Sequence, residues 1–240
     1  MVVKSQIKFI KSLRRKKIRA EQKLFVAEGP KMVSELYRSA LVPYKIYTSG
    51  SVMEEVASEF LERVTVSELK QMSSLKNPNQ VLGVFYMPTP KKVDFTDWVV
   101  ALDEVRDPGN LGTIIRMCDW FGINHLLCST HTVDCYNPKV LQATMGAIAR
   151  INIIYSDLPS QFQNTEVPVY GSFMDAAPVY DEKMPTSGIL LMGNEANGIS
   201  QEIEKHIAKK IGIPQYAAKT SESLNVAMAT AILLNEIRRG

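Results

Sequence analysis

Cysteine is scarce in this 240-residue chain. Cys118, Cys128 and Cys135 form no CxxC pair, and an odd number cannot all pair with one another, which excludes both a disulfide framework and a zinc ribbon. Long apolar runs are missing too. None approaches the ~18 residues needed to cross a bilayer, and the opening segment is basic, without the apolar stretch of a secretory leader. The expectation is a soluble, unprocessed protein of a reducing cytoplasm, without a membrane partner. Standard ligand signatures are also absent: there is no GxGxxG after a strand, no GxxxxGK[ST] and no HExxH. His125, His131 and His206 are scattered, so no metal site is expected, and His125 lies in a strand-like apolar run as a structural residue.

What is present is an ordinary globular composition, 45% hydrophobic and 22% charged, in a length that allows one large domain or two small ones. The net charge of +3 hides a lopsided distribution. Residues 1–31 carry ten cations against Glu21 and Glu28, a balance of +8 that leaves −5 for the rest. Its densest part holds Lys11, Arg14, Arg15, Lys16, Lys17 and Arg19. Such a cluster on an otherwise acidic chain marks a polyanion site, RNA or DNA first, because cations placed on phosphates release condensed counterions. The alternatives are a solvated helix face or an anionic-membrane contact. Phe9 and Phe25 flank the run, but no interleaved stacking ladder is visible.

Periodicity places an amphipathic helix on Ile7, Ile10 and Leu13, a strand at 24–27, a helix opened by Pro30, and a strand at 44–47. A helix over 52–61, a strand at 64–66, a helix over 68–75 and a strand at 81–86 complete a small α/β unit. The stretch 87–97 has two prolines, many charges and no period, and reads as a linker. The domains are therefore 1–90, a linker 91–97, and 98–240. In the last, short apolar strands at 98–102, 125–128, 151–154, 167–171, 189–192 and 210–213 alternate with helices over 111–121, 138–150, near Leu158, 200–208 and 224–237. That alternation argues for an α/β fold with a parallel sheet covered on both faces.

Three of these strands end in turns rich in Gly, Asn or Pro, and ligands of open parallel sheets bind at such carboxyl ends. The first is DEVRDPGNLGTIIR, residues 103–116, where Asn110 either caps a helix or serves a site and Arg116 follows within that helix. The second is LLMGNEANGIS, residues 190–200, where Gly193 and Gly198 permit close backbone approach or simply form a turn, and Glu195 is the one acid of the turn. The third runs from Ile213 to Asn225 and feeds a helix.

In this order the motifs resemble the SpoU (TrmH-like) branch of the SPOUT RNA methyltransferases. DPGNLGTIIR with DWFGI is similar to the family's first motif, MGNEANGIS to its second, and IPQ with SESLNVAMATAI to its third, while KVLQATMGAIA is similar to the small-residue helix between them. KSLRRKKIRAEQKLFVAEGPKMVSEL resembles, more loosely, the RNA-binding domain that often precedes the catalytic one and is itself similar to small ribosomal RNA-binding proteins. The resemblance implies a deep trefoil knot in the C-terminal domain, S-adenosylmethionine held chiefly by backbone groups, and a two-fold homodimer. By position it implies that Met192, Gly193, Gly198, Ile213 and Leu224 line the cofactor pocket. Asn110, Arg116, Glu195, Ser223 and Asn225 fall on catalytic or near-catalytic positions, with Glu195 orienting Arg116 or Asn110. One departure is the loop Pro214–Ser223, longer by a couple of residues, with Glu222 inside the usual small polar pair. The implied activity is methylation of a ribose 2′-hydroxyl, with ribosomal RNA the first substrate. Transfer RNA, methylation of a base nitrogen, and a catalytically silent RNA-binding or ribosome-assembly factor are the alternatives.

Overall fold

The protein is described by a computed structural model covering residues 2–50, 53–217 and 223–239. It divides into two units, 1–89 with 134–149, and 90–133 with 150–240. The segment 134–149 thus belongs to the first unit, although it lies inside the 98–240 stretch.

In the first unit, helix α1 (Lys4–Ser12) buries Ile7 and Ile10, and Leu13 at its C-cap is buried as well, so the apolar spacing sets its inner face. Helix α2 (Lys16–Gln22) ends at the left-handed Lys23, where strand β1 (Leu24–Glu28) begins. Helix α3 (Pro30–Arg38) starts on its proline, whose missing N–H is one the first turn leaves unpaired anyway. Strands β2 (Pro43–Thr48), β3 (Leu61–Arg63) and β4 (Val81–Tyr86) complete a sheet of order β1-β4-β2-β3, in which β4 runs antiparallel to both neighbours.

Val52 lies outside the described residues, and at 53–61 the expected helix over 52–61 does not form. Among the described residues, Ser58–Phe60 makes one 3-10 turn and passes into β3. Just downstream lies a capping box. The Thr65 hydroxyl accepts from the Glu68 N–H at 3.2 Å while the Glu68 carboxylate accepts from the Thr65 N–H at 2.7 Å. This starts helix α4 (Val66–Met72) two residues early and turns the expected strand at 64–66 into its entrance.

Helix α6 (Pro138–Thr144), labelled in chain order, stops short of the expected end at 150. Met145 and Gly146 both take positive φ (53° and 97°), and a Cβ on Gly146 would stand 2.4 Å from the Glu35 side chain. The Tyr136 ring lies 4.7 Å from Phe25, and Gln142 donates to the Glu28 carbonyl at 3.1 Å. Arg19, 3% exposed, donates to the Leu13 and Arg14 carbonyls at 2.9 and 2.7 Å and forms an ion pair with Asp134.

The second unit is a six-stranded, all-parallel sheet. Its strands are β5 (Val99–Leu102), β6 (His125–Cys128), β7 (Asn152–Tyr155), β8 (Val169–Ser172), β9 (Ile189–Met192) and β10 (Lys209–Ile211), in the order β10-β8-β9-β5-β6-β7. Every residue of the adjacent β5 and β9 is buried. Helix α5 (Pro108–Trp120) packs against helix α9 (Val226–Arg239), and helix α7 (Leu158–Gln163) against helix α8 (Gln201–Glu204). Helix α8 is shorter than expected, and β10 ends before Ile213. From β5 the chain adds β6 and β7 on one side and later returns to place β9 on the other. The strand order therefore reverses between β5 and β9, and a crevice opens at their carboxyl ends. Among the described residues no helix is long and apolar enough to cross a membrane.

Candidate functional site

The loops that leave β5 and β9 are tied together at this crevice. Asp103, buried at the end of β5, accepts from the Ser200 N–H at 2.7 Å. Glu104 takes a left-handed φ of 56°, which costs a non-glycine residue roughly 1 kcal/mol or more. Both its backbone groups are held: its N–H donates to the Ser129 hydroxyl at 2.9 Å, and its carbonyl accepts from Asn194 Nδ2 at 2.7 Å. In the β9 loop the Asn194 and Gly198 backbones exchange hydrogen bonds at 2.9 and 3.0 Å. A Cβ on Gly193 would stand 2.3 Å from the Gly198 carbonyl carbon, so glycine is required there by the turn's own backbone.

Asn110 is not the helix cap. Asp107 is, accepting from the Asn110 N–H at 2.9 Å, with Pro108 as the first helical residue. The Asn110 side chain is thereby released for longer-range contacts. Its Nδ2 donates to Glu195 at 3.0 Å and its Oδ1 accepts from Asn225 Nδ2 at 2.8 Å. Asn225 in turn caps α9, its Oδ1 accepting from the Ala227 and Met228 N–H groups at 3.0 and 3.3 Å. A single chain of donors thus runs from Asn225 to Asn110 to Glu195, and each amide has one orientation because its oxygen end is committed. Glu195 also accepts from the Arg106 and Asp107 N–H groups at 3.3 and 3.2 Å. Burial pushes its carboxyl up, but the Asn110 and backbone hydrogen bonds outweigh that and hold it below the usual range. Glu195 is an ionised acceptor at neutral pH.

The crevice thus brings together Asn110, Glu195 and Asn225. Arg116 is exposed on α5 and makes no hydrogen bond or ion pair among the described residues. Six residues beyond Asn110, it points about 120° away from it around the helix. Glu195 therefore contacts Asn110 and not Arg116. Ser223 is exposed at the edge of residues 218–222, which lie outside the described residues with Glu222 among them.

Of the expected cofactor residues, Met192 is buried at the end of β9, Gly198 has positive φ and faces open space, and Leu224 is 54% exposed. The backbones of Gly193 and Ile213 make no hydrogen bond among the described residues. Unused backbone donors and acceptors and an uncovered Leu224 are the chemistry that a ligand with an adenine face and polar edges takes, so the donor set fits S-adenosylmethionine. No cluster of three His, Cys, Asp or Glu placed to hold a metal occurs among the described residues.

In the basic segment, Lys11, Arg15, Lys16 and Lys17 are exposed. Arg14 is exposed too, but its guanidinium donates to the Ser73 carbonyl. Arg19 was expected to face RNA and instead serves the fold, buried and paired with Asp134. Sequence reasoning also missed Arg106, whose side chain pairs with Glu104 at 2.6 Å at the rim of the crevice. A second arginine only ten residues before Arg116 is the signal that was available.

An open parallel sheet with its polar loops crossed at the switch point defines an α/β protein with a ligand site at the carboxyl edge. The chain belongs to the SpoU rRNA methylase family, whose model matches residues 97–235, and a model of the MRM3-like substrate binding domain matches residues 4–83. It is 29% identical over 242 residues to the 23S rRNA (guanosine(2553)-2′-O)-methyltransferase RlmP of Bacillus subtilis, covering 97% of this chain and 96% of that one. Among solved structures, a TrmH-family protein from Porphyromonas gingivalis superposes with a TM-score of 0.91 at 36% identity, covering 100% of this chain and 99% of the other. An AdoMet-bound rRNA methyltransferase from Sinorhizobium meliloti does so at 0.88 and 30% identity, covering 100% and 96%.

Proposed function

We propose that the protein is an S-adenosylmethionine-dependent methyltransferase that modifies a ribose 2′-hydroxyl of ribosomal RNA. The observation that carries this reading is the donor chain Asn225–Asn110–Glu195 at the switch point. It presents fixed amides at the carboxyl edge of the sheet, where the backbone groups of Gly193 and Ile213 are also unused. Those groups, with Met192, Gly198 and Leu224, would hold S-adenosylmethionine, which would supply an electrophilic methyl group and leave as the neutral thioether S-adenosylhomocysteine. Asn110 and Asn225 fix the crevice wall against which the ribose lies, and Asn225 and Ser223 hydrogen-bond its hydroxyl. Glu195 positions Asn110, since a carboxyl held below its usual range is a weak base. Arg116 pins the neighbouring phosphate and stabilises the developing alkoxide. A guanidinium is a poor proton acceptor, so Arg116 does not serve as the base.

The class of substrate is supported by the RlmP relative and by the domain matched at residues 4–83, which we read as the RNA-binding domain ahead of a catalytic domain at 98–240. Lys11, Arg14, Arg15, Lys16 and Lys17 supply its general RNA affinity. We expect the C-terminal segment of this domain to be tied into a deep trefoil knot. We place the enzyme in the cytoplasm, a reading supported by three buried thiols. We also infer a homodimer, supported by the uncovered apolar residues Leu224 and Met228 and by an exposed Arg116 set about 120° from Asn110 around α5.

Incubation of purified protein with labelled S-adenosylmethionine and deproteinised ribosomal RNA tests the reading. It should give alkali-resistant dinucleotides at one site. Label in transfer RNA alone, label in a base, or RNA binding without label would each replace it.

A further inference from the structure

The first unit carries an aromatic cluster that sequence order conceals. Tyr44 and Tyr86 are 46% and 44% exposed, their ring centroids 6.0 Å apart and edge-to-face. The half-buried Phe9 of α1 stands 6.3 Å from Tyr44. Three elements, α1, β2 and β4, thus each supply one ring.

The arrangement has local causes. The pairing of β2 with β4 slips between Pro43 and Lys45, so Tyr44 is the extra residue of a bulge, the device that re-aims a strand side chain. Leu82 and Val84 lie buried on one face of β4, and alternation puts Tyr86 next on that face, where it emerges from the core. Val42, whose carbonyl accepts from the Tyr86 N–H at 3.0 Å, is exposed as well.

Cations adjoin the ring-bearing residues along the chain and across the strand pair. Lys8 and Lys11 flank Phe9 along α1. Lys45 follows Tyr44, its ammonium on the Glu59 carbonyl at 3.1 Å. Lys23 precedes Leu24, the strand partner of Tyr86, and its carbonyl accepts from the Met87 N–H at 2.8 Å. Protein-docking patches are depleted of lysine at their centres, whereas a single nucleic-acid strand requires both cations for its phosphates and ring faces for its bases.

We propose that Phe9, Tyr44 and Tyr86 form a stacking platform for unpaired bases of the RNA substrate, with Lys8, Lys23 and Lys45 at the adjoining phosphates. The proposal rests on the reading of the protein as an RNA methyltransferase and adds that its first unit selects single-stranded RNA.

The test uses the full chain without methyl donor and a labelled oligouridylate of about twelve nucleotides, within the range of single-strand site sizes, beside a duplex of the same length. Tyr44→Ala and Tyr86→Ala should each weaken single-strand binding about fivefold to a hundredfold, with an unchanged slope of log K against log[salt]. Phenylalanine at either position should restore affinity and leucine should not. Lys8→Gln should lower the salt slope by about 0.7. Iodouridine cross-linking of the unaltered protein, which needs no variant to fold, should label peptides containing Tyr44 or Tyr86. Unchanged affinity in both alanine variants, restoration by leucine, equal loss on duplex, or cross-links only elsewhere would overturn the platform. Alanine variants that bind RNA normally in a protein that still methylates it sink the platform alone, whereas an unaltered protein that stacks RNA but transfers no methyl group sinks the enzymatic reading alone.

Discussion

An amide side chain is oriented only by what its two ends touch, and at Asn110 both ends are committed. Glu195 anchors that arrangement through a carboxyl whose folded pKa lies below its unfolded value. Such a group contributes stability that is present above the unfolded pKa and is lost as pH falls through the folded one. Glu195→Gln should therefore flatten the acid limb of the unfolding midpoint against pH, and an unchanged limb would show that the hydrogen bonds to Glu195 do not stabilise the fold. Arg116 makes the opposite case. Free of partners among the described residues, it can be removed without disturbing the crevice, so Arg116→Ala should lower kcat by about 100-fold or more while calorimetry finds cofactor affinity unchanged. A collapse of cofactor binding would assign the residue a different role. The two loop glycines separate in the same way. Gly193→Val drives a side chain into the Gly198 backbone and should lower thermal stability and cofactor affinity together. Gly198→Ala enters open space and should cost only about 1 kcal/mol, the penalty of a left-handed alanine. Equal losses from both would mean that the turn is not the constraint.

At the scale of elements, Asp134 joins a segment to a unit from which the sequence order separates it. Asp134→Ala would leave the Arg19 charge buried without its partner, a change that costs about 3–5 kcal/mol and should appear as a lower urea midpoint. A shift below 1 kcal/mol would mean that water reaches the guanidinium. This contact marks the limit of what sequence could yield. The parallel strands were legible to within a residue or two because β5, β6 and β9 are continuous apolar runs, and α3 and α6 were legible at their starts because Pro30 and Pro138 open them. The capping box at Thr65 was equally local but competed with a misleading helical period over 52–61. The end of α6 was not local, since Gly146 lies against Glu35. The site divides along the same line. Its three loops were legible as turns at strand ends, and their residues through resemblance to a family. The chain Asn225–Asn110–Glu195 joins residues 115 and 85 positions apart, and the rings of Phe9, Tyr44 and Tyr86 meet only after β2 and β4 pair, so no spacing rule could find either.

At the scale of the whole molecule, α9 is the element on which the proposed dimer rests. Its run of apolar and small residues, 226–234, needs cover on more than one side. Val226, Ala227, Ala229, Thr230, Leu233, Leu234 and Ile237 are buried within the chain. Left over is a stripe at helical spacing: Met228 at 59% exposed, the half-buried Ala231 and Ile232, and then the exposed Asn235. A stripe of this kind beside Asn225 places any second copy next to the crevice, and a two-fold axis would make the contact self-complementary. Dimerisation at micromolar concentration is expected, and Met228→Lys, which puts a charge into the stripe without touching the monomer core, should shift the protein toward monomer at unchanged thermal stability of the isolated chain. If Arg116 serves the crevice of the other copy, the same variant should lose kcat in proportion to the dimer lost, and mixing it with an excess of unaltered protein should restore part of the activity. Sedimentation equilibrium that returns only the 26.9 kDa monomer mass for the unaltered chain across this range would overturn the dimer. Full activity in that monomer would place Arg116 at work within its own chain, through a bend of the substrate strand around α5.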